Sequence, residues 1–235
     1  MKKLLSLLTS IRTTNILLGL FILLLIAGAI LMPEKPSFQR INQMSLFSWL
    51  KEAPLSDSWW LYEAIAILGL LVLNTIFCSI DSLLRKRQGR NLLLIISPQI
   101  IHLGFCFIMI AHLVSSAYSF HLFWVFTEKG YSRLPDGTML QLDRIDYSTE
   151  KGYFTSMKAV FKIKGDVEKT VSIGPNKPAL ISGVGVYLKQ ISLNPVPMAL
   201  VEISYEPGAM WALIGGVLFF VGTVLLVALR LRYSH

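Results

Sequence analysis

Residues 92–119 read LLLIISPQIIHLGFCFIMIAHLVSSAYS, without a Lys, Arg, Asp or Glu. A helix of that length crosses a hydrocarbon core of ~30 Å at ~1.5 Å per residue. It carries His102 and His112 inside apolar sequence. Arg85, Lys86, Arg87 and Arg90 precede it, and a polar, strand-like segment follows it. Working outward, residues 14–32, 59–80 and 209–229 are also long and apolar enough to span. The whole chain of 235 residues is 54% hydrophobic and 15% charged, with a mean hydropathy of +0.59. That is too apolar and too poor in charge for a water-soluble domain. The expected fold is membrane α+β: four transmembrane helices, with one small antiparallel β-sandwich or partial barrel between helices 3 and 4. Its parts are 1–119 (three spans), 120–207 (β domain) and 208–235 (fourth span and tail).

The net charge of +8 invites a nucleic-acid reading, but its distribution argues against one. Lys2, Lys3, Arg12, Arg85, Lys86, Arg87, Arg90, Arg230 and Arg232 fall at span ends that share one side. Residues 120–207 hold ten basic and nine acidic side chains and are nearly balanced. By the positive-inside rule both termini and the 81–91 loop are cytoplasmic. The β domain then lies outside, as expected for a multi-pass protein of the bacterial cytoplasmic membrane. The two cysteines, Cys78 and Cys106, lie inside spans without a CxxC pair, so neither a disulfide framework nor thiol–disulfide exchange is expected.

Residues 14–32 resemble a signal peptide but read as the first span, stopped by Pro33 and Pro36. Within 37–53, apolar residues at Phe38, Ile41, Met44, Phe47 and Leu50 predict an amphipathic helix resting in the outer interface. Trp49, Trp59 and Trp60 read as an aromatic belt there. Glu63, about one turn into the second span, is expected to snorkel or cap, with a proton or quinone role as the alternative. Asn74 lies deeper, where an amide seeks a partner on a neighbouring helix. Pro98 removes a backbone donor one turn before His102. Ala212, Gly215, Gly216 and Gly222 allow close approach of another helix. In 120–207, Pro135-Asp136-Gly137 marks a tight turn and Lys164-Gly165-Asp166 a hairpin tip. Phe161 and Ile163, then Val201, Ile203 and Tyr205, alternate with polar residues at the period of half-buried strands. Six or so strands follow. The segment carries no cluster of catalytic residue types after His121, so it reads as a scaffold or docking surface.

The histidines separate by depth. His102 lies ~15 Å from the start of its span, near mid-bilayer, and His112 ~15 Å further along and roughly 80° around the helix. One metal cannot be held by both. His121 falls at or beyond the outer surface, and His235 ends the chain. An intramembrane imidazole serves an interhelical hydrogen bond, a haem, a proton relay or a quinone. No other histidine here shares the depth of His102 on a different helix. If His102 binds haem, the opposite axial ligand comes from another chain or a second copy.

The chain resembles the ResB proteins of System II cytochrome c biogenesis. The matching stretches are Ser10-Ile11-Arg12-Thr13-Thr14, LFSWLKEAPLSDSWW at 46–60, LLVLNTIFCSIDSLLRK at 70–86, IIHLGFCFIMIAHL at 100–113 and KPALISGVGVYLKQIS at 177–192. They follow the family order, with the β domain between spans three and four. The resemblance implies a subunit of a cytochrome c synthase, partnered by an integral membrane protein of the ResC/CcsA type. That complex moves haem b across the membrane and attaches it to CxxCH of apocytochrome c. The resemblance also implies His102 as an axial ligand of the haem iron, with the second ligand from the partner, while His112 is a weaker candidate by its place in the span and reads rather as packing. Catalysis would lie in the partner, which is expected as a separate polypeptide. The β domain is shorter than is common in the family. A membrane scaffold without haem contact, and an electron-transfer subunit using His102, His112 or Glu63, are the alternatives.

Overall fold

The computed structural model describes residues 9–85, 92–151, 153–164 and 169–233, in two compact units. Lys2, Lys3, Lys86, Arg87, Arg90, the Gly165-Asp166 hairpin tip and His235 lie outside the described residues.

The helical unit contains α1 (Ile11–Leu31), a short α2 (Leu46–Glu52), α3 (Leu55–Arg85), α4 (Leu92–Tyr118) and α5 (Ala209–Tyr233). α1, α3, α4 and α5 are long and apolar enough to cross a membrane. Only 6–17% of the residues in their most apolar stretches are buried by the chain itself. In water each exposed Leu, Ile or Phe would forgo roughly 1.5–3 kcal/mol of burial. Such a surface is compatible with a multi-pass membrane protein, and the four long apolar helices expected are present, α4 with the expected ends and the others extended by a few residues at one or both ends.

Small residues set the closest helix contacts. On α5, Gly215 and Gly222 are seven apart and share one face with Gly208, just before the helix. A Cβ on Gly215 would lie 2.7 Å from the Gly104 carbonyl oxygen, and one on Gly222 would lie 2.8 Å from Ile101. Gly216, one step around, meets nothing within 4 Å. Close approach was thus legible from the glycines, and α4 of the same chain is the helix approached.

The amphipathic helix expected over 37–53 is broken. Met32–Glu34 and Pro36–Arg40 are 3₁₀ turns, and α2 begins only after an extended Ser45. Pro36 opens the second turn, and a residue preceding proline, here Lys35, is pushed to extended geometry. The Trp49 and Trp60 assignments to an aromatic belt are also corrected. Trp49 is 3% exposed and Trp60 4%, whereas Trp59 is 45% exposed. Trp49 Nε1 donates to the Ser37 carbonyl (2.8 Å), and the Phe38 ring lies 4.7 Å from Trp49 and 6.2 Å from Trp60. Asp57, in the first turn of α3, accepts from Ser37 Oγ (2.8 Å) and pairs with Lys35 (3.3 Å). The connection is therefore folded onto the head of α3, with its aromatic rings inside.

Trp60 in turn covers Gly28 of α1, where a Cβ would lie 2.4 Å from the indole. Gly28→Ala is expected to lower stability in detergent by about 1–3 kcal/mol through overpacking. Gly19→Ala, which meets nothing within 4 Å, should instead gain about 1 kcal/mol of helix propensity. Thermal unfolding of both variants checks the opposite signs.

The β unit, Tyr118–Glu206, is two four-stranded antiparallel sheets. One runs in the order β1 (Phe120–Thr127), β8 (Met198–Tyr205), β7 (Val184–Ser192), β6 (Ala179–Ile181). The other runs β2 (Tyr131–Arg133), β3 (Met139–Glu150), β4 (Tyr153–Lys164), β5 (Lys169–Ile173). Their inner faces share one core, including Leu140, Leu142, Phe161, Val186, Val201 and Ile203. The Phe126 and Phe161 rings meet edge to face across it at 5.1 Å. This is the sandwich alternative, with eight strands rather than six. The expected Pro135-Asp136-Gly137 turn forms, closed by Gly137 N–H to the Leu134 carbonyl (2.8 Å).

Candidate functional site

α3 and α4 bring Ser79 to His102. The imidazole Nδ1 lies 2.7 Å from Ser79 Oγ, which donates to the Thr75 carbonyl at 2.9 Å. A hydroxyl has one proton. With that proton on the Thr75 carbonyl, Ser79 Oγ accepts from Nδ1–H of His102. Nε2 then carries a lone pair, and it makes no hydrogen bond among the described residues. In that tautomer one ring nitrogen is anchored and the other is a free σ-donor, the arrangement a metal-binding histidine needs.

His102 lines a cavity of about 440 Å³ formed by α1, α3 and α4. Thr14, Asn74, Cys78, Asp81 and Gln99 face it as well. Thr14 Oγ1 donates to Asn74 Oδ1 at 2.7 Å and ties α1 to α3, the neighbour-helix partner expected for this amide. Asn74 itself is 2% exposed. Pro98 supplies no N–H to the carbonyl of Leu94, and both residues line the cavity. α4 nevertheless runs unbroken through Pro98. The Gln99 Oε1 is buried and has no hydrogen-bond partner among the described residues. An orphaned buried acceptor marks a place where a further polar group is needed.

The other expected candidates are not drawn into this cavity. His112 and Glu63 are exposed on their helices. Cys106 does not line the cavity, and both cysteines are free thiols. Among the described residues no group of three or more His, Cys, Asp or Glu is placed to hold a metal. Tested against haem, the imidazole fits as one axial ligand. The described lining supplies no second imidazole, its other iron-binding group is the Cys78 thiol, and its charged side chain is Asp81, an acid that repels propionates.

The β unit contains a polar cluster that the sequence reading missed. His121 on β1 lies 2.9 Å from Glu202 through Nδ1 and 2.8 Å from Glu206 through Nε2. Lys189 of β7 pairs with the other oxygen of Glu202. Both ring nitrogens can donate only in the imidazolium form. Burial works to lower the pKa of His121, but the bonds and charges of the two glutamates outweigh it and raise it above the ordinary 6.5. For Glu202, burial works upward, and the contacts with Lys189 and His121 outweigh it and hold the carboxyl below its ordinary value. The glutamates alternate with Val201 and Ile203 in the sequence, which was a visible signal. The pairing of His121 with Ser204, between them, was not.

This cluster gives the β unit a two-sided pH response. The folded pKa of His121 is raised, so its contribution is complete below about pH 6.5 and is lost as pH rises through the folded value. The contribution of Glu202 has the opposite sense, being lost as pH falls through its lowered value. We expect His121 to titrate above 6.5 by NMR, and the alkaline loss of stability through that value to vanish in His121→Gln.

Compared with known proteins, the chain matches no family model and no curated protein.

Proposed function

We propose that this chain is a ResB-like subunit of a cytochrome c synthase, in which His102 supplies one axial ligand to haem b from α4. The observation that carries the reading is the anchored imidazole, with Nδ1 held by Ser79 at 2.7 Å and Nε2 free beside a polar cavity. The sequence stretches given above support it, as do four long apolar helices with a β unit between the third and fourth. Haem would supply the vinyl groups across which the S–H bonds of the CxxCH thiols of apocytochrome c add. The residues of this chain hold, orient and shield it.

The half-built character of the site supports a partner. A second axial ligand and cations for the propionates would come from a separate ResC/CcsA-like membrane protein. The basic span ends favour cytoplasmic termini and an extracytoplasmic β unit in the bacterial inner membrane. Pull-down in mild detergent, with the partner's mass and an absorption spectrum, tests the assembly. A multi-span partner and a Soret band are expected, and a chain that purifies alone and colourless contradicts the reading. Ser79→Ala should loosen haem retention about 10- to 100-fold while leaving the partner bound, because the substitution frees the imidazole to turn.

The scaffold alternative has one specific observation in its favour, since the Ser79–His102 bond also joins α3 to α4. It predicts cytochrome maturation that survives His102→Ala but fails when the β unit is deleted.

A further inference from the structure

β3 and β4 run for 12 residues each, but β5 for only five. β5 pairs with residues 159–163 of β4, and among the described residues the β4 edge over 154–158 has no partner strand. The reason is local. Gly174 N–H donates to the Lys177 carbonyl (3.1 Å) and Lys177 N–H to the Gly174 carbonyl (3.0 Å), with Pro175 and a left-handed Asn176 (φ 58°) between them. The chain closes on itself there and leaves the sheet. A cavity of about 330 Å³ lies where β5 would have continued, between residues 154–158 and the 174–177 turn. The Met157 carbonyl lies on this side of β4, because a Cβ on Gly174 would lie 3.0 Å from that oxygen. In an antiparallel strand the N–H and C=O of one residue share a side. Met157 therefore offers a donor and an acceptor to a new strand.

Lys158 and Lys177 line the slot, and neither makes an ion pair among the described residues. Asp146, opposite Lys158 in register, is paired with Arg144 at 3.1 Å. Edge lysines discourage pairing with a second copy, which would bring like charges together. They complement an acidic strand. Phe154 is exposed at the same edge and offers an apolar contact.

We propose that the open β4 edge at 154–158 accepts an extended acidic segment of a partner protein by strand addition. Backbone pairing would give affinity, and Lys158 with Lys177 would select charge. The inference stands apart from the haem reading.

The test uses the full chain in neutral detergent and two blocked peptides, acetyl-(Val-Glu)₃-amide and acetyl-(Val-Lys)₃-amide, read by amide hydrogen exchange. The acidic peptide should slow exchange at the Met157 amide at least fivefold, and the lysine peptide should not. Lys158→Glu/Lys177→Glu should reverse that preference, and Met157→Pro should abolish binding. The proposal is overturned if neither peptide protects the edge, or if both protect it equally. Undiminished binding to Met157→Pro, meaning a charged patch only, also overturns it, as does protection in a dimer without peptide. The charge-reversal pair lies at the exposed edge, so it still decides the matter if the proline variant does not fold.

Discussion

Gly104→Ala is expected to be a strongly destabilising methyl addition in the helical unit. The new Cβ would lie 2.6 Å from the backbone nitrogen of Phe219 and 2.7 Å from the Gly215 carbonyl oxygen. Both neighbours are backbone atoms of α5, so no side chain can swing aside, unlike the Trp60 indole over Gly28. Relief requires the whole helix to retreat. Overpacking in a core costs about 1–3 kcal/mol, and this site belongs at the upper end. Gly216→Ala supplies the contrast. It faces open space, so the same change should stabilise by about 1 kcal/mol through helix propensity. Unfolding midpoints of the two variants in one detergent should move in opposite directions. Gly104 also lies two residues from His102, so its variant should loosen the proposed haem site even where the protein stays folded.

His102→Ala is expected to reduce both haem retained by the purified complex and holocytochrome formed in cells by tenfold or more. The substitution removes the nitrogen donor of the cavity and leaves Ser79 bonded to Thr75 within its own helix. The fold should survive, because α4 keeps its contacts with α5 through Gly104, Ile108 and Ala111. His112→Ala is the control. His112 is exposed and does not line the cavity, so haem content should be unchanged.

These expectations rest on features with unequal visibility in the sequence. The four long helices were legible because ~20 apolar residues admit few other structures. The interfacial helix was not, since an apolar residue at every third position fits a 3₁₀ turn and a separate helix as well as one continuous α-helix. What decided it was tertiary: Trp49 and Trp60 closing over Phe38 and Gly28. β2 and β6, of three residues each, are too short to display a period of two, which is why six strands were expected and eight formed. At the candidate site, the position of His102 along its helix was readable from residue spacing. Its partner Ser79 was not, because rotation of α3 against α4 depends on packing. The His121 cluster was hidden for a related reason, since the pairing of the first strand of the sandwich with the last is a property of topology.

The central claim is that the free Nε2 of His102 ligates haem iron in a site completed by a partner. The most direct measurement is the Soret absorption of the complex purified with its partner, for the parent chain, His102→Ala, and His102→Ala with added imidazole. The account predicts loss of the band in the variant and its return with imidazole, with the partner bound throughout. A Soret band of unchanged intensity and position in His102→Ala would contradict it.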